Sequence, residues 1–157
     1  RRFAGEFLQR VHDIGVHGPS AFGAPAVGAK VPHVLVCFRH RVGPQGFDLV
    51  DATGVPYTSV MDVPAGLLVA NITGDSERLR RDVATVATAL PKVLRDRAVL
   101  VNAASPDSIV IELRGGAEVV WGSAENSEEK AGVIAALLTI SASVYDVSSP
   151  SHPTTKA

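Results

Sequence analysis

Between residues 98 and 121 three short apolar runs alternate with two turn signals, and that pattern leaves little choice of local structure. The runs at 98–102, 109–113 and 117–121 are separated by Ser105-Pro106-Asp107-Ser108 and by Arg114-Gly115-Gly116. Runs of strand length, rich in Val and Ile and bounded by turn formers, predict a three-stranded meander. The Gly-Gly pair is the sharper signal, because the central positions of a tight hairpin turn require positive φ, which glycine adopts without steric cost.

Helical periodicity flanks the meander on both sides. Leu79, Val83, Val86, Ala87 and Leu90 recur at the spacing of one helix face, with Ser76 as the cap and Pro91 as the stop. Arg78, Arg80 and Arg81 fall largely off that stripe and read as a solvated face. A second helix is expected over 127–139, where Asn126 and Glu129 make a start resembling a capping box and the acidic first turn complements the helix dipole. Its closing partner is a strand at 143–149, stopped by Pro150. Upstream, 47–50 and 55–60 read as a hairpin about the turn Asp51-Ala52-Thr53-Gly54, with Pro56 on a side that lacks a ladder partner, and 67–72 reads as a further strand. The expected fold class is therefore α+β, a curved mixed or antiparallel sheet with two α-helices packed on one face.

Residues 1–40 differ in kind. They hold five Lys/Arg against two Asp/Glu and four of the five histidines, whereas 41–157 hold ten against fourteen. Phe3, Phe7, Leu8 and Val11 have helical spacing, 18–28 reads as a Gly/Pro/Ala-rich loop, and 31–38 reads as a strand that Pro32 either places at an edge or makes begin late.

Composition excludes several chemistries. A net charge of −1 gives no electrostatic footprint for nucleic acid. The apolar runs fall well short of the roughly 20 residues that span a bilayer, so any membrane attachment is expected through an anchor absent from this chain. Cys37 is the only cysteine and reads as a small core hydrophobe. Neither a phosphate-binding glycine loop, a nucleophile elbow nor paired metal-ligand spacing occurs, and His12 and His17 lie on a poor ligand platform. Residues 41–157 contain one histidine, His152, which disfavours a His-dependent hydrolase. Glu125, Glu128 and Glu129 are accounted for by the helix start, and Trp121 by the core or an edge. No catalytic residue, metal or cofactor is expected. On an alternating closing strand Tyr145, Val147 and Ser149 face one way and Val144, Asp146 and Ser148 the other, which leaves burial or partner contact open for Tyr145.

The segments 47–56, 109–121 with its Gly-Gly turn, Glu128-Glu129-Lys130 and Tyr145-Asp146-Val147-Ser148-Ser149-Pro150, taken in order, resemble the extracytoplasmic β domain of the FtsQ cell-division family, most closely its actinobacterial form. The resemblance runs from about Arg41 to Lys156. It implies a non-enzymatic divisome protein with one transmembrane helix, a POTRA domain and a β domain, placed outside the cytoplasm at the inner (plasma) membrane of the septum. The expected organisation is a β domain over 41–150, a polar tail over 151–157, and a segment 1–40 that is a diverged POTRA remnant, a linker or an appended extension. Implied partners are proteins of the FtsB and FtsL type, with a partner strand added to the last strand. By position that strand is Val144, Tyr145, Asp146, Val147, Ser148 and Ser149, with Tyr145 and Val147 as side-chain contacts and the preceding helix as flanking surface. A POTRA-like chaperone module, or a small ligand-binding or enzymatic domain, are the alternatives.

Overall fold

A computed structural model of the chain describes residues 36–39, 46–74 and 76–157. The helix expected around Phe3–Val11, the loop at 18–28 and the histidines His12, His17, His33 and His40 lie outside the described residues. The strands are β1 (Val36–Arg39), β2 (Phe47–Val50), β3 (Pro56–Val60), β4 (Leu68–Ile72), β5 (Ala98–Ser105), β6 (Ser108–Leu113), β7 (Glu118–Gly122), β8 (Val144–Asp146) and β9 (Thr154–Lys156). The helices are α1 (Glu77–Ala89), α2 (Lys92–Arg95) and α3 (Ser127–Leu137). Among the described residues the strands form one sheet in the order β3-β2-β1-β4-β5-β6-β7-β8-β9.

The meander forms as its turn chemistry dictates. β5, β6 and β7 are antiparallel neighbours, and Gly115 and Gly116 take φ of +100° and +88° in a turn closed by the Leu113 N–H on the Ala117 carbonyl. Parallel neighbours need a crossover, and both helical stretches supply one. β4 passes through α1 and α2 to the parallel β5, and β7 passes through α3 to the parallel β8.

The helices bury one face of the sheet. Leu79, Val83, Val86 and Ala87 of α1 and Ile134 of α3 join Val101, Ile111, Val119, Trp121 and Tyr145 in the main core. Alternation sends Cys37 and Leu49 to the opposite face, where with Val60 they form a smaller cluster against Phe47, Val63 and Leu67. Burial pushes the Cys37 thiol up to about 12, the behaviour of a core residue and not of a nucleophile.

Local chemistry fixes the joins. The Asp51 carboxylate accepts from Thr53 N–H (2.8 Å), Thr53 Oγ1 (2.7 Å) and Val55 N–H (3.1 Å), and Gly54 completes the turn at φ +86°. That turn packs on α1 so closely that a Cβ at Gly54 would lie 2.6 Å from Arg81 Cα. Ser76 Oγ accepts from Leu79 N–H at 3.3 Å as the cap of α1. Pro91 ends α1 and also opens α2, a short element with no counterpart in the periodicity. α2 brings the Arg95 guanidinium back to the open carbonyls of Ala87 (3.3 Å) and Leu90 (3.0 Å).

Two details differ from the sequence pattern. Asn126 does not cap α3 with its side chain; it sits at φ +53°, a left-handed conformation that Asn tolerates. The helix start is held by Ser127 instead, whose hydroxyl donates to the Ala124 carbonyl (2.7 Å) and accepts from Trp121 Nε1 (3.1 Å). The closing strand is also shorter than 143–149, and residues 151–157, expected as a polar tail, contain β9.

Candidate functional site

The two ends of the sheet are built differently. β3 begins with Pro56, which has no N–H to give, and its pairing with β2 is interrupted by a register shift at Leu49/Val50. Proline and bulges are the devices by which edge strands are protected from further pairing. β9 has neither within Thr154–Lys156, and all three of its residues are exposed.

β9 is held through its backbone. It pairs antiparallel with β8 as Val144↔Lys156, Tyr145↔Thr155 and Asp146↔Thr154, and the N–H and hydroxyl of Ser143 both reach the Lys156 carbonyl, at 2.7 and 3.0 Å. Along β8 the Ser143 carbonyl accepts from Glu118 N–H and the Val147 N–H donates to the Val120 carbonyl, so the backbone groups of Tyr145 between them turn toward β7. Alternation then gives Val144 and Asp146 to β9, binds their partners Lys156 and Thr154 inward, and turns the N–H and C=O of Thr155 outward. Among the described residues no strand pairs with that outward side.

The residues expected as the partner-binding strand are thereby divided. Val144, Tyr145 and Asp146 form β8, which is flanked on both sides and is not the edge. The side chains of Tyr145 and Val147, 2% and 0% exposed, point into the core, which corrects their reading as partner contacts. The Tyr145 hydroxyl donates to the Ile140 carbonyl (2.7 Å) and accepts from the Ala142 N–H (3.2 Å), tying α3's exit to the sheet. Ser148 and Ser149 are exposed in the connection to β9, where Ser148 N–H and Oγ both donate to Asp146 Oδ1, at 2.9 and 2.7 Å. β9 itself escaped sequence reading because Ser151-His152-Pro153-Thr154-Thr155 has the composition of a tail. The one usable signal was the β-branched pair Thr154-Thr155 immediately after Pro153.

Elsewhere, an open depression of about 680 Å³ lies between α1 and the start of α3, lined by Thr85, Thr88, Asn126, Glu128 and Glu129 among others. Among the described residues, the titratable groups displaced from their ordinary range, Cys37, Asp51, Tyr57 and Lys130, lie outside it. Lys130 is 1% exposed; desolvation lowers its pKa, Glu125 opposes the shift, and its ammonium donates to the Ser123 carbonyl at 2.8 Å. Among the described residues no three His, Cys, Asp or Glu side chains are grouped to hold a metal, and no helix is long and apolar enough to cross a membrane.

The architecture defines an α+β domain with one helical layer on a mixed sheet that ends in an exposed strand. Residues 39–148 match the family model of the cell division protein FtsQ/DivIB C-terminal domain, and the chain belongs to that family. FtsQ of Mycobacterium leprae is 34% identical over 157 residues, 99% of this chain and 42% of that protein. FtsQ of Streptomyces bingchenggensis is 35% identical over 115 residues, 66% and 43%, and FtsQ of Mycolicibacterium smegmatis 37% over 114 residues, 72% and 34%. The chain thus spans less than half the length of these relatives, which are actinobacterial as the sequence resemblance implied. The major extracytoplasmic domain of DivIB from Geobacillus stearothermophilus shares the fold, with a TM-score of 0.53 at 13% identity over 71% of this chain and 94% of that one.

Proposed function

We propose that this chain is the partner-docking part of a non-enzymatic divisome scaffold. In this reading it lies outside the cytoplasm at the division septum, is held to the inner (plasma) membrane by an anchor outside this chain, and receives a strand from an FtsB-type partner, with an FtsL-type protein alongside. The strand is taken by the outer edge of β9, and Ser148, Ser149 and the exposed side of α3 are flanking surface. The observation that carries the proposal is the asymmetry of the sheet: one end is protected by Pro56 and a bulge, whereas the other turns the Thr155 backbone groups outward from an exposed strand. Strand addition draws affinity from main-chain bonds of about 0.5–1.5 kcal/mol net each, so a few of them with an apolar anchor give a modest affinity.

The test is co-purification with the extracytoplasmic segment of the FtsB-type protein of the same organism, comparing the unaltered chain with Thr155→Pro. Proline at 155 removes an outward N–H while leaving the inward bonds of Thr154 and Lys156 to β8. Capture is expected to fall at least tenfold with circular dichroism and melting unchanged. Equal capture by the variant would refute β9 as the docking edge.

A further inference from the structure

The position of β9 is not set by its own side chains, which are exposed, so something else must fix where the chain turns back along β8. The connection begins against the end of β7. Gly122 is buried at φ +74°, and a Cβ there would stand 2.8 Å from Ser148 Cβ and 3.3 Å from Ser148 Cα. On its other side Ser148 is tied twice to Asp146 Oδ1, through N–H at 2.9 Å and Oγ at 2.7 Å. Val147 between them is buried and donates to the Val120 carbonyl at 3.0 Å. The His152 N–H then bonds the Ser149 carbonyl at 3.0 Å, and β9 follows.

We propose that Gly122 and Asp146 are positioning residues for the docking edge. Gly122 leaves room for Ser148 against β7, Asp146 draws Ser148 into that room, and the turn so seated delivers Thr154–Lys156 at the height where they pair with β8. This rests on the reading of β9 as the docking edge, but its first readout does not depend on any partner. A methyl group at 122 displaces Ser148 because the nearest atoms belong to its Cα and Cβ and not to the end of a flexible side chain. The displacement passes to β9, whose hold on β8 is three paired positions and the Ser143 clasp.

The experiment is amide hydrogen exchange by NMR on the unaltered chain, Gly122→Ala, Ser148→Gly and the Gly122→Ala/Ser148→Gly pair. In the unaltered chain the inward N–H groups of Thr154 and Lys156 exchange more slowly than that of Thr155. Gly122→Ala is expected to cut protection at 154 and 156 at least tenfold while the β6 amides keep at least half of theirs. The double variant, lacking the Ser148 Cβ that the new methyl meets, is expected to recover at least half of the logarithmic loss. Asp146→Ala gives the same local loss without any change at 122. Unchanged protection at 154 and 156, equal loss throughout β6, or no recovery in the double variant would each overturn the proposal, the last because strain at positive φ alone is indifferent to Ser148. If local protection falls and recovers as expected but FtsB-segment capture does not follow it, the positioning role stands and the assignment of β9 as the docking edge fails.

Discussion

At the scale of single residues, the glycines with positive φ divide into those that need only backbone freedom and those that also need space. Gly115 sits in an open hairpin turn with nothing within 4 Å of where its Cβ would be, whereas a Cβ at Gly54 would meet Arg81 Cα at 2.6 Å and Arg81 N at 2.8 Å. Left-handed backbone costs an ordinary residue about 1–2 kcal/mol. Gly115→Ala is therefore expected to lower stability by about that amount in urea unfolding. Gly54→Ala adds a steric conflict with helix backbone, of the order of the roughly 1–3 kcal/mol seen for overpacking, and is expected to be worse by at least about 1 kcal/mol. Equal losses at the two positions would show that the turn does not press on α1. Asn126 at φ +53° takes the same backbone region without a side-chain cap bond, and Ser127 ties the helix start to the Ala124 carbonyl and the Trp121 indole.

At the scale of elements, the hairpin β2–β3 depends on a charged knot. Burial alone would raise the Asp51 pKa, but the hydrogen bonds from the Thr53 side chain and the backbone of Val55, Thr53 and Gly54 prevail and lower it. A carboxyl whose folded pKa is depressed adds stability that is fully present above its unfolded value, about 3.9, and is lost as pH falls through the folded value. Asp51 is partly exposed, so its bonds are discounted for screening to about 0.5–1 kcal/mol. Asp51→Asn is expected to be less stable than the unaltered chain by that amount at pH 7, with the two curves converging below pH 4 in denaturant titrations at successive pH. A constant gap across that range would contradict the linkage. This turn was legible in sequence because Asp at its start and Gly at its end act on their immediate neighbours, and so were the meander and α1, where periodicity and cap agree. α2 was not legible, since four residues carry no periodicity and what holds it is tertiary, Leu94 buried in the core and Arg95 meeting the end of α1. The extent of β8 and the existence of β9 were not legible either, because a strand of three exposed residues is defined by its neighbour's backbone and leaves no hydrophobic pattern of its own.

For the whole molecule, the strand that anchors the core and the strand proposed as the docking edge are neighbours, which makes stability and the proposed docking separable by experiment. Tyr145 in β8 fills the core and bonds two backbone groups at the exit of α3, so Tyr145→Ala is expected to cost about 3–5 kcal/mol, the range for emptying an aromatic site. β9 buries no side chain. Ordering each of its residues costs about 1–2 kcal/mol of backbone entropy, and backbone bonds of about 0.5–1.5 kcal/mol each offset that with little surplus. A chain ending at Pro153 is therefore expected to unfold within about 1 kcal/mol of the full chain and, on the proposed reading of β9, to lose capture of the FtsB-type segment. The opposite result would also be informative about the sheet. With β9 gone, the edge passes to β8, whose Val144 and Asp146 backbone groups are released from Lys156 and Thr154. If the shortened chain captures the partner as well as the full chain does, the strand that docks is Val144–Asp146, and β9 is a cover that the partner displaces. Loss of capture with folding retained makes β9 the surface itself, and places the partner's strand tenth in a sheet that this chain builds nine strands wide among its described residues.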